Sequence, residues 1–258
     1  MAIAMGADGL EFDVQLSADG EPVVIHDKRV DRTSDGAGYV SELTAVQLDA
    51  LDAAWSFRQR LETRPRLKAR IDRLAGRLGQ GCTLNRQPIP RLSTVLEQIS
   101  GAGLARIYVE IKGSESTRPE LLTRTLFAIE TLNLGGIVTV LSFDHSVSRI
   151  TKDLAPAVRT AVTIPGLVRR LPTARSISQA ARAAKADEVA LHFSVASPRI
   201  VHTLQEQGLK VAVWTANRKL IMRRLVGLGV DSIMTNHVDR LKSVVQDYEN
   251  RHLKPRAS

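Results

Sequence analysis

The chain has 258 residues, of which 43% are hydrophobic and 24% charged, an ordinary globular balance that excludes a disordered chain. Its one cysteine, Cys82, excludes an intramolecular disulfide framework and a cysteine-cluster zinc site. The formal charge of +9 is unevenly laid out: residues 1–57 hold 3 basic and 11 acidic side chains, whereas residues 58–91 hold 10 basic and 2 acidic ones.

A length near 250 residues is common for a single α/β barrel, so one domain over 1–258 is expected, with a basic excursion at about 52–88. High basicity invites a nucleic-acid reading, but only 4% of residues are aromatic and no zinc-finger, RNP-type or basic-zipper pattern occurs; no nucleic-acid partner is expected. No run of about 18 apolar residues could span a membrane. The opening Met1–Asp8 lacks a basic region and a long apolar core, so it is not read as a signal peptide and a cytoplasmic location is expected.

In chain order, β-rich runs at Gly9–Leu16, Pro22–His26, Arg106–Ile111, Ile137–Leu141, Val158–Val162, Glu188–Leu191, Lys210–Trp214 and Ser232–Thr235 predict strands. Helical periodicity is plain in Ser93–Ile99, Pro119–Thr131 and Pro198–Gln207, and again at Leu241, Val244, Val245 and Tyr248. This alternation predicts a parallel α/β sheet or barrel. One link breaks it. Only Ser17–Glu21 separate the first two strands, too few for a parallel crossover, so they form an antiparallel hairpin turning at Asp19-Gly20. The reversal brings the ends of the hairpin together, so Glu11, Asp13 and His26 are expected to face one pocket. In the excursion, Leu67, Ile71, Leu74 and Leu78 form one apolar stripe of a helix beginning near Pro65. Arg66, Lys68, Arg70, Arg73 and Arg77 occupy its other faces, and Gly76, Gly79 and Gly81 follow or interrupt it.

Glu11 and Asp13 are two apart on a strand and share a face, which suits a hard cation such as Mg²⁺ or Ca²⁺; a solvated strand edge is the plainer alternative. Glu110 and Lys112 repeat the arrangement near the end of another strand, where barrel active sites lie. His26-Asp27 suits a general acid/base with an acidic neighbour, or a structural pair. Trp214, at a strand end with Thr215, Ala216 and Asn217, either lines a substrate pocket or plugs the barrel. His145, His192, His202, His237 and His252 have no comparable context, and Cys82 has no evident base partner.

Taken together, Gly6-Ala7-Asp8-Gly9-Leu10-Glu11-Phe12-Asp13-Val14, Asp19-Gly20, Val23-Val24-Ile25-His26-Asp27 and Arg32-Thr33-Ser34-Asp35-Gly36 resemble the glycerophosphodiester phosphodiesterase family. The similarity continues through Ile89-Pro90-Arg91-Leu92, Tyr108-Val109-Glu110-Ile111-Lys112, Ser142-Phe143, Val211–Asn217 and Gly229–Thr235. It implies a phosphatidylinositol-phospholipase-C-like TIM (β/α)8-type barrel with an inserted β-hairpin. It also implies metal-dependent hydrolysis of glycerophosphodiesters to sn-glycerol 3-phosphate and an alcohol, a step of lipid and glycerol metabolism. By motif match, Glu11, Asp13 and Glu110 would bind one divalent cation, Mg²⁺ or Ca²⁺. His26 would be one of two catalytic histidines, Lys112 a phosphate contact, and Trp214 the glycerol side of the pocket.

Two departures carry expectations of their own. The family's opening strand ends His-Arg-Gly and is followed by Glu-Asn-Thr and a helix, whereas this chain starts at Met1–Gly6, inside that helix's tail. The first strand, most of the first helix, one catalytic histidine and a phosphate-binding arginine are therefore expected to be missing, with low activity of the 258-residue form. Val238 replaces a usual proline, which is expected to affect only loop shape. Two alternatives stand beside the main reading: a lysophospholipase D-like activity, and a non-catalytic phosphate- or anionic-surface-binding barrel that has lost one catalytic histidine. The basic excursion further suggests peripheral contact with an anionic membrane.

Overall fold

The computed structural model describes residues 1–77, 85–166 and 172–252. In chain order these form β1 (Gly9–Leu16), β2 (Pro22–Val24), α1 (Ala45–Asp49), α2 (Trp55–Glu62), α3 (Pro65–Arg77), α4 (Leu92–Ser100), β3 (Arg106–Ile111), α5 (Arg118–Thr131) and β4 (Val138–Ser142). There follow α6 (Ser146–Leu154), β5 (Arg159–Ile164), α7 (Ala174–Ala183), β6 (Glu188–His192), α8 (Pro198–Glu206), β7 (Lys210–Trp214), α9 (Lys219–Gly227), β8 (Ser232–Ile233) and α10 (Val238–His252).

The sheet order is β2-β1-β3-β4-β5-β6-β7-β8. From β3 onward each strand's next neighbour is the next strand in sequence, with a helix between, and the pairs from β4 to β8 are parallel. That singly wound order is the TIM-barrel type; a doubly wound sheet would reverse direction at a switch point. The predicted hairpin is present, with Val14 opposite Val24 and Leu16 opposite Pro22. Its turn needs Gly20, whose φ of 80° lies in the left-handed region. Asp19 accepts from Ser17 Oγ at 2.6 Å and from the Ala45 amide at 2.9 Å, which ties the turn to the start of α1.

Several predicted boundaries move. β2 stops at Val24, two residues before His26, although the Ile25 amide still donates to the Asp13 carbonyl at 3.0 Å; the carbonyls of Ile25, His26 and Asp27 are taken by the Gln15 side chain. β8 stops at Ile233, although the Met234 amide still donates to Val213 at 2.8 Å. Helices α6 and α7 escape periodicity reading because their buried faces are built partly from small or polar residues: Val147, Ser148 and Thr151 in α6, Ile177, Ser178 and Ala181 in α7. Val238 is the first residue of α10, a position that readily accepts proline, so the substitution falls on a helix start and not on a loop.

The chain forms two compact units, one of Met1–Glu11, Leu104–Val109 and Gly135–Ser258, the other of Phe12–Gly103 and Glu110–Leu134. In the first, Val189, Leu191, Val211 and Val213 pack outward on Ile177, Ala181, Val201, Leu204, Met222 and Leu225. The alternate residues Ala190 and Ala212 join Tyr108, Leu141 and Ala161 on the opposite face, as strand alternation requires. At the starts of its strands a buried polar network closes on Glu188, which accepts from Tyr108 Oη at 2.9 Å and pairs with Arg106 at 3.2 Å; Tyr108 Oη also meets Ser232 Oγ at 3.0 Å.

The second unit centres on Val23, Ile25, Val30, Val40, Leu48 and Ile89. Here the excursion leaves and rejoins the core at Asp52. Its carboxylate accepts from the amides of Ala54 at 3.0 Å and Gln87 at 3.1 Å and pairs with Arg58, while its own amide donates to Asp35 at 2.7 Å. α3 starts at Pro65, as its sequence predicts. The side chains of Leu67, Arg70, Leu74 and Arg77, and residues Leu78, Gly79, Gly81 and Cys82, lie outside the described residues.

Candidate active site

Along β1 the side chains alternate, so Glu11, Asp13 and Gln15 share one face. Glu110 near the end of β3 and Lys112 just past it are likewise two apart. Carboxylate oxygens of Glu11, Asp13 and Glu110 all lie within 4.8 Å of one another. Two oxygens bound to one Ca²⁺ at about 2.4 Å each can be at most about 4.8 Å apart, so the spacing is within the reach of Ca²⁺; the all-carboxylate donor set also suits Mg²⁺, whose bonds of about 2.1 Å require oxygens no more than about 4.2 Å apart. Glu11 is exposed, Asp13 half-buried and Glu110 buried.

Lys112 places its ammonium 3.0 Å from Asp13 Oδ1 and in contact with Glu110. Burial pushes the Glu110 carboxyl above its ordinary range, against the pull of Lys112, while Asp13 adds to the rise and the charge of His26 opposes it. Burial by itself would lower the Lys112 ammonium, but Glu110 and Asp13 outweigh it and hold the group above its usual value. Glu11, Asp13 and Glu110 thus come together beside Lys112, and His26 is near enough for its charge to act on Glu110.

His26 lies on the loop after β2, with its side chain 68% exposed. Its Nδ1 is 2.7 Å from Asp27 Oδ1. Arg32 grips the same carboxylate through Nε and, at 2.9 Å, through Nη2. The Arg32 guanidinium, and then His26, bring the Asp27 carboxyl down to about 2. An ionised Asp27 can only accept, so Nδ1 carries a proton and Nε2 is the ring nitrogen that faces away from this pairing. Gln15, 6% exposed, donates through Nε2 to the carbonyls of Ile25 at 3.2 Å, His26 at 3.1 Å and Asp27 at 2.5 Å. Neither Gln15 nor the Arg32–Asp27 pairing is singled out by sequence reasoning. The only available signal is that Gln15 continues the alternation of Glu11 and Asp13.

In the first unit, Trp214 ends β7 half-buried. Its Nε1 donates to the Ala190 carbonyl at 2.9 Å, and it packs against the inner apolar cluster of Tyr108, Leu141 and Ala212. Phe143 and His192 meet it edge-on at 5.7 and 5.2 Å between ring centroids. Trp214 therefore both fills the interior and presents an aromatic edge. His192, which the sequence places in no functional context, packs against it, and burial lowers the His192 imidazole below its ordinary value.

A sequence model of the glycerophosphoryl diester phosphodiesterase family matches residues 1–240. The chain belongs to that family. It is thereby one of the phosphoric diester hydrolases by descent. The glycerophosphodiester phosphodiesterase of Caldanaerobacter subterraneus subsp. tengcongensis is 30% identical over 245 residues, covering 95% of this chain and 88% of the relative. A phosphodiesterase of Oleispira antarctica, solved in complex with the product sn-glycerol-3-phosphate, superposes with a TM-score of 0.77 at 20% identity, covering 95% of this chain and 87% of that one. A glycerophosphodiester phosphodiesterase of Agrobacterium tumefaciens C58 does so with a TM-score of 0.70 at 22% identity, covering 94% and 89%. The α/β barrel-type fold expected from the sequence is the fold of these structures.

Proposed function

We propose that this chain hydrolyses glycerophosphodiesters to sn-glycerol 3-phosphate and an alcohol, with one divalent cation, Mg²⁺ or Ca²⁺, held by Glu11, Asp13 and Glu110. The observation that carries the reading is the convergence of those three carboxylates beside Lys112. A bound cation would neutralise phosphodiester charge and polarise phosphorus. Lys112, with two carboxylates to choose from, offers its ammonium to a non-bridging phosphate oxygen. His26 takes or delivers a proton at Nε2, with Asp27 accepting from Nδ1 and stabilising the charged ring. Trp214 supplies an apolar wall for the glycerol carbons. The product found in the Oleispira antarctica structure supports the substrate class.

The test is turnover of glycerophosphocholine, -ethanolamine, -glycerol and -inositol, and of a lysophospholipid, with Mg²⁺, with Ca²⁺ and with chelator. Release of sn-glycerol 3-phosphate only with divalent ion is expected. A protein that melts higher with the ion yet turns over none of these would overturn the reading in favour of a binding barrel, and preference for the lysophospholipid would favour the second activity.

A cytoplasmic protein in peripheral contact with anionic membrane is part of the same proposal. It is supported by Arg60, Arg64, Arg66, Lys68 and Arg73, all exposed along α2 and α3. No helix among the described residues is long and apolar enough to cross a membrane. Co-sedimentation with anionic but not neutral vesicles at low salt is expected, and equal behaviour with both would end the membrane idea.

A further inference from the structure

His26 is two-thirds exposed, and among the described residues its ring is hydrogen-bonded to Asp27, the very next residue. A partner that moves with the same loop cannot fix the loop. The anchoring comes through the backbone: the Ile25 amide donates to the Asp13 carbonyl at 3.0 Å, and a side chain of the same strand takes the carbonyl side. Gln15 points its amide nitrogen at three successive carbonyls, those of Ile25, His26 and Asp27, at 3.2, 3.1 and 2.5 Å. Two N–H bonds are shared across three acceptors. The opposite amide orientation would set Oε1 against three carbonyl oxygens, so the donor assignment follows from the acceptors. Gln15 itself is buried and its backbone is paired in register with Val23 of β2, so the clamp is mounted on a rigid strand.

We propose that Gln15 is a positioning residue for the reaction: it holds the 25–27 backbone so that His26 Nε2 keeps a set distance from the cation site. The inference rests on the phosphodiesterase reading above. Its basis is that Glu11, Asp13 and Gln15 project from the same face of one strand. The two carboxylates proposed to hold the cation and the clamp on the acid/base loop are thus spaced by a single run of pleated backbone; the Ile25 amide, donating to the Asp13 carbonyl at 3.0 Å, ties the start of the loop to that strand, and Gln15 holds the carbonyls that follow. Acid/base catalysis is steep in distance, and a displacement of about 1 Å caused from outside the reacting groups can cost about 10²-fold in rate. Loss of the clamp leaves the three carbonyls free to rotate toward water and carries His26 with them, while Glu11 and Asp13 stay on their strand.

The experiment compares wild type with Gln15→Met, which keeps the length and removes the donors. The expected result is a kcat lower by about 10²-fold, with KM and the divalent-ion-induced rise in melting temperature at wild-type values. Alongside it, the His26 imidazole resonance, assigned through His26→Gln, should shift in Gln15→Met. Wild-type kcat in folded Gln15→Met overturns the inference, and so does a kcat loss accompanied by loss of the ion-induced shift. If Gln15→Met does not fold, Gln15→Asn, whose amide is one methylene short of the carbonyls, should show the same split; failure of both to fold would make Gln15 a residue of the fold and overturn the positioning role. Should wild type turn over no glycerophosphodiester, the functional reading fails by itself. The His26 resonance then decides alone: a shift supports the clamp and an unchanged signal refutes it.

Discussion

Glu11 and Glu110 differ in how strongly they need a counter-charge. Glu110 is buried, and burial already drives its carboxyl upward, so a cation beside it gains more than one beside exposed Glu11. The ammonium of Lys112 meets part of that need, and a divalent ion would meet the rest by mass action. Thermal melts should therefore rise with Mg²⁺ or Ca²⁺, and Glu11→Gln combined with Asp13→Asn should abolish the rise; a persistent shift would assign the ion elsewhere. For the acid/base group, His26→Gln should lower kcat by about 10²- to 10⁴-fold, the usual worth of one positioned proton-transfer group. Activity within twofold of wild type would remove His26 from the mechanism. How much of this was legible in the sequence depends on the kind of partner. Glu11, Asp13, Glu110 and Lys112 could be read because carboxylates two apart on a strand announce a shared face. Gln15 could not, because its partners are backbone carbonyls, which every residue possesses. The Arg32–Asp27 pair spans a five-residue loop with no periodicity to project it.

At the level of elements, the strands were the more legible part. β1, β3 and β7 begin and end where β-branched and apolar runs do. Of the helices that escaped reading, α6 and α7 bury Ser, Thr and Ala beside one large apolar residue each, whereas α2 and α9 bury only Leu61 and the pair Met222 and Leu225. The basic excursion was visible as charge, but its means of attachment was not, since Asp52 works through two amides 33 residues apart in sequence, those of Ala54 and Gln87. The pairing with Arg58 first, and the amides of Gln87 and Ala54 after it, hold the Asp52 carboxyl at about 2, below its ordinary 3.8. A depressed native value means that the stabilisation is present above the unfolded value and is lost as pH falls toward the native one. Amide-exchange protection at Ala54 and Gln87 should therefore stand at pH 7 and decline between about pH 4 and about pH 2. In Asp52→Ala the same two amides should exchange quickly at neutral pH, while amides of β5 and β6 keep their protection. Unchanged protection of Ala54 and Gln87 in that variant would show that the excursion is held by something else.

On the scale of the whole molecule, β3 sets out a division of labour along a single strand. Arg106, Tyr108, Glu110 and Lys112 alternate onto one face. The first two enter the buried network with Glu188, Ser232 and Thr139, which lie at or beside the starts of β6, β8 and β4. The last two belong to the carboxylate site. In barrel-type folds the starts of strands serve stability and their ends serve chemistry, so the two halves of this face should respond oppositely to mutation. Glu188→Ala strips the carboxylate from Arg106 and leaves the Tyr108 hydroxyl, whose pKa burial has already raised, with Ser232 alone. Breaking a buried ion pair from one side costs about 3–5 kcal/mol. For a chain of this size that is a fall in melting temperature of roughly 10 °C. The kcat of the protein that remains folded should stay at the wild-type value, because no atom of the network belongs to the reacting groups. Glu110→Gln should do the reverse. Its amide keeps the volume and removes an unfavourably buried carboxyl, and Lys112 keeps Asp13 as a partner at 3.0 Å, so the melting temperature without metal should hold or rise, while turnover falls by more than about 10²-fold through loss of a proposed cation ligand. Calorimetry without metal and initial rates with metal, on both variants, separate the two halves. A kcat loss in Glu188→Ala as large as that in Glu110→Gln would mean that the two ends of β3 are one coupled unit, and the division proposed along its face would be wrong.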